Sequence, residues 1–217
     1  MAKRSVRGDM LRHALAQEAA RIIVEHGVDD YLMAKRKAAE RLGVTDHAVL
    51  PKNTEIEEAL ATHHRLFGAA SHEDELAGLR RHAVEAMRLL GEFEPRLVGP
   101  VLSGNASAHS VIQLHLFADT PEAVALWLME AGVKYRAGQR RVRVLRDAAE
   151  PHPTFEFSSG TAEVEAIVFP RDGIRQSPFG PVDGRPMRRA TRQEVEALLQ
   201  GSAPHGEGTV PEREPSP

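Results

Sequence analysis

The stretch "VGPVLSGNASAHSVIQLHLF", residues 98–117, decides the fold. It reads as a strand, a turn that contains glycine and a second strand, because apolar and β-branched residues dominate both ends. Glycines in the turn allow a ligand to approach the backbone, whose N–H groups bind phosphate, and nearby polar side chains add donors. We therefore predict a phosphate-binding turn built from Gly99, Ser103, Gly104, Asn105 and Ser110.

This stretch resembles the nucleotidyltransferase superfamily, typified by DNA polymerase β and the small bacterial nucleotidyltransferase domains. The signature of that family is a Gly-Ser turn, then Gly-Thr-Ala, then Ser-Asp-hydrophobic-Asp-Leu on the next strand. Laid on this sequence without a gap, it matches Gly99 and Pro100, then 104–106, then 110–114. The resemblance spans residues 90–200 and implies a mixed sheet flanked by helices.

The resemblance places the two metal-binding aspartates of the family on Val111 and Gln113. Residues i and i+2 of a strand point to the same side, so an acid pair there holds metal ions jointly. Valine offers no ligand, and glutamine offers one neutral oxygen where Mg²⁺ prefers carboxylates. The family takes a third carboxylate from a later strand, which implies Glu163 or Glu165 as the catalytic residues. We expect a degenerate metal site.

The hydrophobic periodicity changes near Phe93 and predicts an α+β fold. Amphipathic helices are expected at 10–27, 30–43, 53–68 and 71–91, because apolar residues recur there at helical spacing. The predicted organisation is a helical N-terminal region at 1–92, a nucleotidyltransferase-like α/β domain at 93–200 and a disordered tail at 201–217. Helices should therefore supply the ordered structure before Arg96, and the sheet should begin after it.

Local signals place the remaining elements. Strands are predicted at 97–102, 111–117, 140–146, 153–158 and 162–169, where β-branched residues alternate with polar ones. A helix after Thr120 should start at Pro121 and end before Gly132. Capping boxes, in which a Ser or Thr and a Glu three residues later satisfy each other's backbone N–H groups, are predicted at Thr54–Glu57 and Thr191–Glu194.

Three further side chains are candidate neighbours of the site. His115 shares a strand face with Gln113, so a metal site in which imidazole replaces a carboxylate is one interpretation. An ordinary strand histidine is the other. Arg141 and Arg143 alternate with valines and predict a positive strand face that binds phosphate. Solvated surface charge is the alternative interpretation of these arginines.

Composition bounds the class of protein. The 217 residues contain no cysteine, which excludes a disulfide framework. Their formal net charge of −3 gives no general attraction to polyanions. No apolar run approaches the roughly 20 residues that span a bilayer, and no secretory signal is evident. We expect a cytoplasmic bacterial protein without membrane association.

The sequence thus predicts a nucleotidyltransferase-family protein with a degenerate metal site that binds the phosphate of a nucleotide or RNA. The alternative is an active nucleotidyltransferase whose altered metal site uses the later-strand glutamates. Mg²⁺ is expected as a cofactor only in that alternative. The non-catalytic protein could instead bind a protein partner, and a purely structural module of a larger assembly is the third hypothesis.

Overall fold

Helices form the first part of the chain. The computed structural model describes residues 2–28, 30–46, 49–67, 69–145 and 148–201, so the predicted tail beyond Gly201 lies outside the described residues. The helices are α1 (Ala2–His26), α2 (Tyr31–Arg41), α3 (Asn53–Phe67) and α4 (Ala69–Leu89). The described residues of 10–91 contain no strand, which confirms the helical N-terminal region. Among the described residues, no helix has the length and apolarity to cross a membrane.

The helix termini follow the predicted signals in two of three cases. Helix α6 (Pro121–Glu130) begins directly after Thr120, and α7 (Arg192–Leu199) begins with the capping box of Thr191 and Glu194. The predicted box of Thr54 and Glu57 is wrong, because α3 already begins at Asn53. The Glu57 carboxylate instead accepts hydrogen bonds from the Tyr31 hydroxyl and the Asn105 side-chain amide.

Five strands form one mixed sheet in the order β1-β2-β5-β4-β3. Strands β2 and β5 are parallel, whereas the pairs β1–β2, β5–β4 and β4–β3 are antiparallel. The bounds are Arg96–Val98 for β1, Ile112–Phe117 for β2, Arg136–Val142 for β3, Glu150–Ser159 for β4 and Ala162–Phe169 for β5. The chain therefore has the predicted α+β class, with helices flanking a mixed sheet.

The first predicted strand, 97–102, is wrong in its second half. Strand β1 starts at Arg96 and stops at Val98, and the chain then turns into the short helix α5 (Gly99–Ser103). Gly99 adopts a φ of 73°, which breaks the strand, and Pro100 lies in the first turn of the helix, where no N–H is needed. The third strand also shifts, from the predicted 140–146 to Arg136–Val142.

Three clusters of buried hydrophobic residues lie within the described residues, and the smallest consists of Phe117, Val142, Ile167 and Phe169. One of the two larger clusters lies between α1, α2 and α3, where Leu15, Ile22 and Ile56 are fully buried. The other lies on one face of the sheet and includes side chains of α4, α6 and α7, so α4 packs with the sheet. The Trp127 indole of α6 donates a hydrogen bond to the Leu89 carbonyl across this layer. The opposite face of the sheet does not take part in this core.

Candidate functional site

A row of polar side chains crosses the face of the sheet opposite the helices. In register, Gln113 of β2 lies beside Glu165 of β5, Glu165 beside Glu156 of β4, and Glu156 beside Arg136 of β3. Residues paired in register project to the same side of a sheet, so all four share one face. The alternate residues Leu114, Val164 and Phe157 point into the helix-covered core.

This row forms the floor of a cleft of about 350 Å³. The cleft is lined by Val111, Gln113, Arg136, Arg140, Glu156, Glu163, Val164 and Glu165. The two positions that the family resemblance assigned to metal-binding acids thus lie together with the two later glutamates. Separate segments of the sequence, more than forty residues apart by their numbering, meet here because β2 and β5 are neighbouring parallel strands.

Ion pairs neutralise two of the three carboxylates in the cleft. Arg140 donates a hydrogen bond from Nη1 to Glu165, and Arg136 donates to Glu156. The Glu156 carboxylate raises the pKa of the Arg136 guanidinium through this hydrogen bond. Glu163 accepts a hydrogen bond of 2.9 Å from the Ser158 hydroxyl. Three carboxylates thus face two guanidinium groups, and the cation beside Glu165 is the Arg140 guanidinium.

Gly99 lies against the first of these polar side chains. A Cβ atom at this position would lie 2.7 Å from the Gln113 Oε1 atom. The φ of 73° is also a left-handed conformation, which favours glycine over residues with a Cβ. The backbone between β1 and α5 therefore passes close to the Gln113 side chain.

The other four predicted phosphate-binding residues use their polar groups within the protein. The Asn105 amide donates to Glu57, and the Ser103 hydroxyl donates to the Pro100 carbonyl at 3.3 Å. The Ser110 hydroxyl accepts from the Ser107 N–H at 3.0 Å, and the Gly104 carbonyl accepts from His72 Nε2 at 2.9 Å. The described residues that line the cleft include none of these four. None of the five predicted phosphate-binding residues therefore lines the cleft, although Gly99 lies beside Gln113, which does line it.

Two stacked histidines lie next to this turn, and one of them contacts the Gly104 carbonyl. The rings of His64 on α3 and His72 on α4 lie 3.7 Å apart at 19° to each other. Burial, followed by the charges of His72 and His63, lowers the pKa of His64 to about 4. The His64 ring is therefore neutral at pH 7, and the pair acts as a packed polar support for the turn.

His115 has a bonded partner at its Nδ1 atom. It is 1% exposed, and Nδ1 accepts a hydrogen bond of 3.0 Å from Arg189 Nε. Burial, followed by the charge of Arg189, lowers the pKa of His115 well below its ordinary value. The same guanidinium donates to the carbonyls of Gly173, Ile174 and Gln176 and packs on the rings of Phe117 and Phe169. His115 thus anchors residues 170–190 on the sheet and does not line the cleft.

The arginines of the cleft differ from the predicted pair. Arg141 donates to the Ala149 carbonyl at 2.6 Å and Arg143 to the Gly180 carbonyl at 3.0 Å, and neither lines the cleft. Strand alternation explains the difference, since Arg136 and Arg140 share the cleft face while Arg141 points to the other. The even spacing of Arg136 and Arg140 places both side chains on one face of a strand. The sequence prediction started this strand at residue 140 and so left Arg136 outside it. Glu156 was missed because it was identifiable only through the register with Glu165.

Across the described residues, no group of three or more His, Asp or Glu side chains is arranged to hold a metal ion. Comparison with protein-family models, with characterised proteins and with solved structures returned no match.

Proposed function

We propose that this chain is a nucleotidyltransferase-like protein that binds a nucleotide phosphate in the cleft without two-metal catalysis. The observation that carries the proposal is the ion pair of Arg140 with Glu165, beside Val111 and Gln113. Two-metal chemistry needs anionic ligands around a cation. The corresponding positions of this cleft hold the uncharged side chains of Val111 and Gln113, and the Arg140 guanidinium lies beside them. The protein itself supplies the cation.

The cleft suits a small ligand that carries phosphate. Its volume of about 350 Å³ lies within the range of small-molecule sites. Guanidinium groups bind phosphate through paired N–H donors and remain charged at every physiological pH. Arg136 and Arg140 lie on the same face of β3, and Gly99 leaves the neighbouring backbone free of a side chain. These features support a phosphate held by two arginines at the edge of the sheet.

The active-enzyme alternative draws on the same cleft. Glu163, Glu165 and Glu156 all line it, and carboxylate oxygens are the ligands that Mg²⁺ prefers. An altered metal site would have to release Glu165 from Arg140 and use Gln113 as a neutral ligand. The alternative therefore requires a divalent cation for nucleotide binding, whereas the proposed function does not.

Ligand-induced stabilisation separates the two functions. The melting temperature would be measured with ATP, adenosine and a short single-stranded RNA, first in EDTA and then with Mg²⁺ or Mn²⁺. We expect ATP to raise the melting temperature in EDTA and adenosine to have no effect. An effect of ATP that needs the metal, together with release of pyrophosphate, would support the enzyme. No shift with any of these ligands would overturn the binding proposal.

Matched variants localise the effect on one strand. Arg140→Gln should abolish the ATP-induced shift, because it removes the central guanidinium of the cleft. Arg141→Gln removes the same charge from the opposite face of β3, where Arg141 contacts the Ala149 carbonyl, and should retain the shift. Equal losses in the two variants would show that ATP responds only to the general positive charge of this edge.

A further inference from the structure

Arg140 pairs with the less exposed of the two carboxylates that hold guanidinium groups in the cleft. The Glu165 side chain is 15% exposed and lies on the central strand β5, whereas the Arg140 side chain is 43% exposed. The other pair is more open, with Arg136 80% and Glu156 37% exposed. A ligand that enters the cleft from solvent therefore meets Arg140 first and Glu165 beneath it.

A carboxylate and a phosphate compete for the same face of a guanidinium. Arginine has five N–H donors in a planar fork, and both anions accept from two of them at once. With Glu165 in place, a phosphate must either share Arg140 with a second anion or displace it. Like charges at close range repel, and the third carboxylate, Glu163, adds to this repulsion. The unliganded cleft thus opposes the ligand that its arginines would bind.

The released carboxylate has a neighbour that is able to bind it. Gln113 is the register partner of Glu165 on β2, and its side chain carries an amide with two N–H donors. A glutamine at this position is therefore compatible with both states of Glu165, paired with Arg140 or released from it. An aspartate would repel Glu165. This gives a physical reason for a neutral polar residue at Gln113.

Resting on the proposed function, we propose that Glu165 is an internal competitor for Arg140, and that a nucleotide phosphate binds by taking the guanidinium from it. The contact is autoinhibitory: it lowers the affinity for nucleotide, so that the site fills only when the ligand is abundant. Glu165 is a positioning residue in this account, since it acts through Arg140. The affinity of the site is then set by the exchange of one anion for another.

The test measures the affinity for ATP in EDTA by isothermal titration calorimetry. Glu165→Gln keeps the shape of the side chain and removes its charge, so it should bind ATP about tenfold more tightly than the parent. Glu163→Gln removes a charge from the same strand without freeing Arg140 and should improve binding by no more than about twofold. Near-ultraviolet circular dichroism and melting temperature confirm that each variant is folded.

A double variant separates exchange from simple repulsion. In the Arg140→Gln background, Glu165→Gln should give no gain, because no guanidinium remains to be released. An undiminished gain in that background, an equal gain from Glu163→Gln, or unchanged binding in Glu165→Gln would overturn the competitor proposal while the parent still binds ATP. If neither the parent nor Glu165→Gln binds ATP, the proposed function fails and the competitor proposal fails with it.

Discussion

Two features of Gly99 disfavour any residue with a Cβ atom beside Gln113. Its φ of 73° is left-handed, and a Cβ atom would lie 2.7 Å from Gln113 Oε1. Gly43 has a similar φ of 66° and no atom within 4 Å of the same Cβ position. The two glycines therefore separate the cost of the backbone conformation from the cost of the contact.

Replacement of Gly99 by alanine should destabilise the protein more than replacement of Gly43. Gly43→Ala should lose about 1 kcal/mol of unfolding free energy, from the left-handed backbone alone. Gly99→Ala should lose about 2 kcal/mol, because Gln113 must also shift its side chain. Urea unfolding of both variants measures the difference. Equal losses would show that Gln113 yields without cost and that the contact is not a constraint.

His64 should make the stability of the fold depend on acid. Its pKa falls from 6.5 to about 4 on folding, because the ring is buried and faces His72 and His63, with Glu75 and Asn105 also nearby. Between these pH values the unfolded chain binds a proton that the folded chain does not. The free energy of unfolding should therefore decrease as the pH falls from 6.5 to 4.

His64→Gln should reduce this loss by about 1–2 kcal/mol over the same pH range. His115 shifts in the same direction, so part of the acid dependence should remain. The variant His63→Gln removes only a smaller cause of the His64 shift and should retain most of the slope of the parent. Urea unfolding at several pH values gives the slopes. An identical slope for His64→Gln and the parent would contradict the assignment.

At the scale of elements, the N-terminal helices support the turn between β1 and β2. Glu57 of α3 binds the Asn105 amide, and His72 of α4 donates to the Gly104 carbonyl. Arg80 of α4 donates to the Val101 carbonyl at 3.2 Å. The helices therefore position the segment that leads into the cleft.

Asn105 should behave as a structural residue of this junction. Asn105→Ala leaves the half-buried Glu57 without one partner and should cost about 1–2 kcal/mol of unfolding free energy. Ser103→Ala, on the exposed side of α5, should cost less than about 0.5 kcal/mol. Chemical unfolding gives both values. A stable Asn105→Ala variant that has lost ATP binding would instead support the sequence prediction that Asn105 contacts phosphate.

The elements also show which features the sequence predicts. Strand β5 matches its prediction at both ends, because "AEVEAIVF" combines alternation with a fully apolar end. Strand β1 was predicted too long, since the valine and leucine after Pro100 have β propensity but belong to α5. Their conformation depends on a backbone angle at Gly99 that propensity does not encode. The partners of Gln113 depend on sheet order, so Arg140 and Glu156 emerged only from the fold.

Acids introduced at the start of β2, at positions 111 and 113, should create a metal site. The triple variant Val111→Asp/Gln113→Asp/Arg140→Gln places two carboxylates beside Glu165 and removes the competing guanidinium. It should bind Mn²⁺ at least about tenfold more tightly than the parent. Electron paramagnetic resonance of free Mn²⁺ measures the affinity. The control has asparagine at positions 111 and 113 in the same Arg140→Gln background and should bind like the parent. No gain over that control would mean that these positions do not converge on one site.

At the scale of the whole molecule, the two faces of the sheet have different roles. The face with Leu114 and Val164 carries the main core, packed by α4, α6 and α7. The face with Gln113 and Glu165 is divided between the cleft and the segment that Arg189 anchors. Strand alternation thus separates the packed core from the cleft, so residues of the cleft can be substituted without loss of the core.

The most direct test of this account is anomalous diffraction from crystals soaked with Mn²⁺ and ATP. The account predicts phosphate density beside Arg136 and Arg140 and no anomalous peak beside Gln113. That result would agree with phosphate held by the protein's own cations. An anomalous peak coordinated by Gln113 and by Glu163 or Glu165 would contradict the central claim and identify an altered metal site in its place.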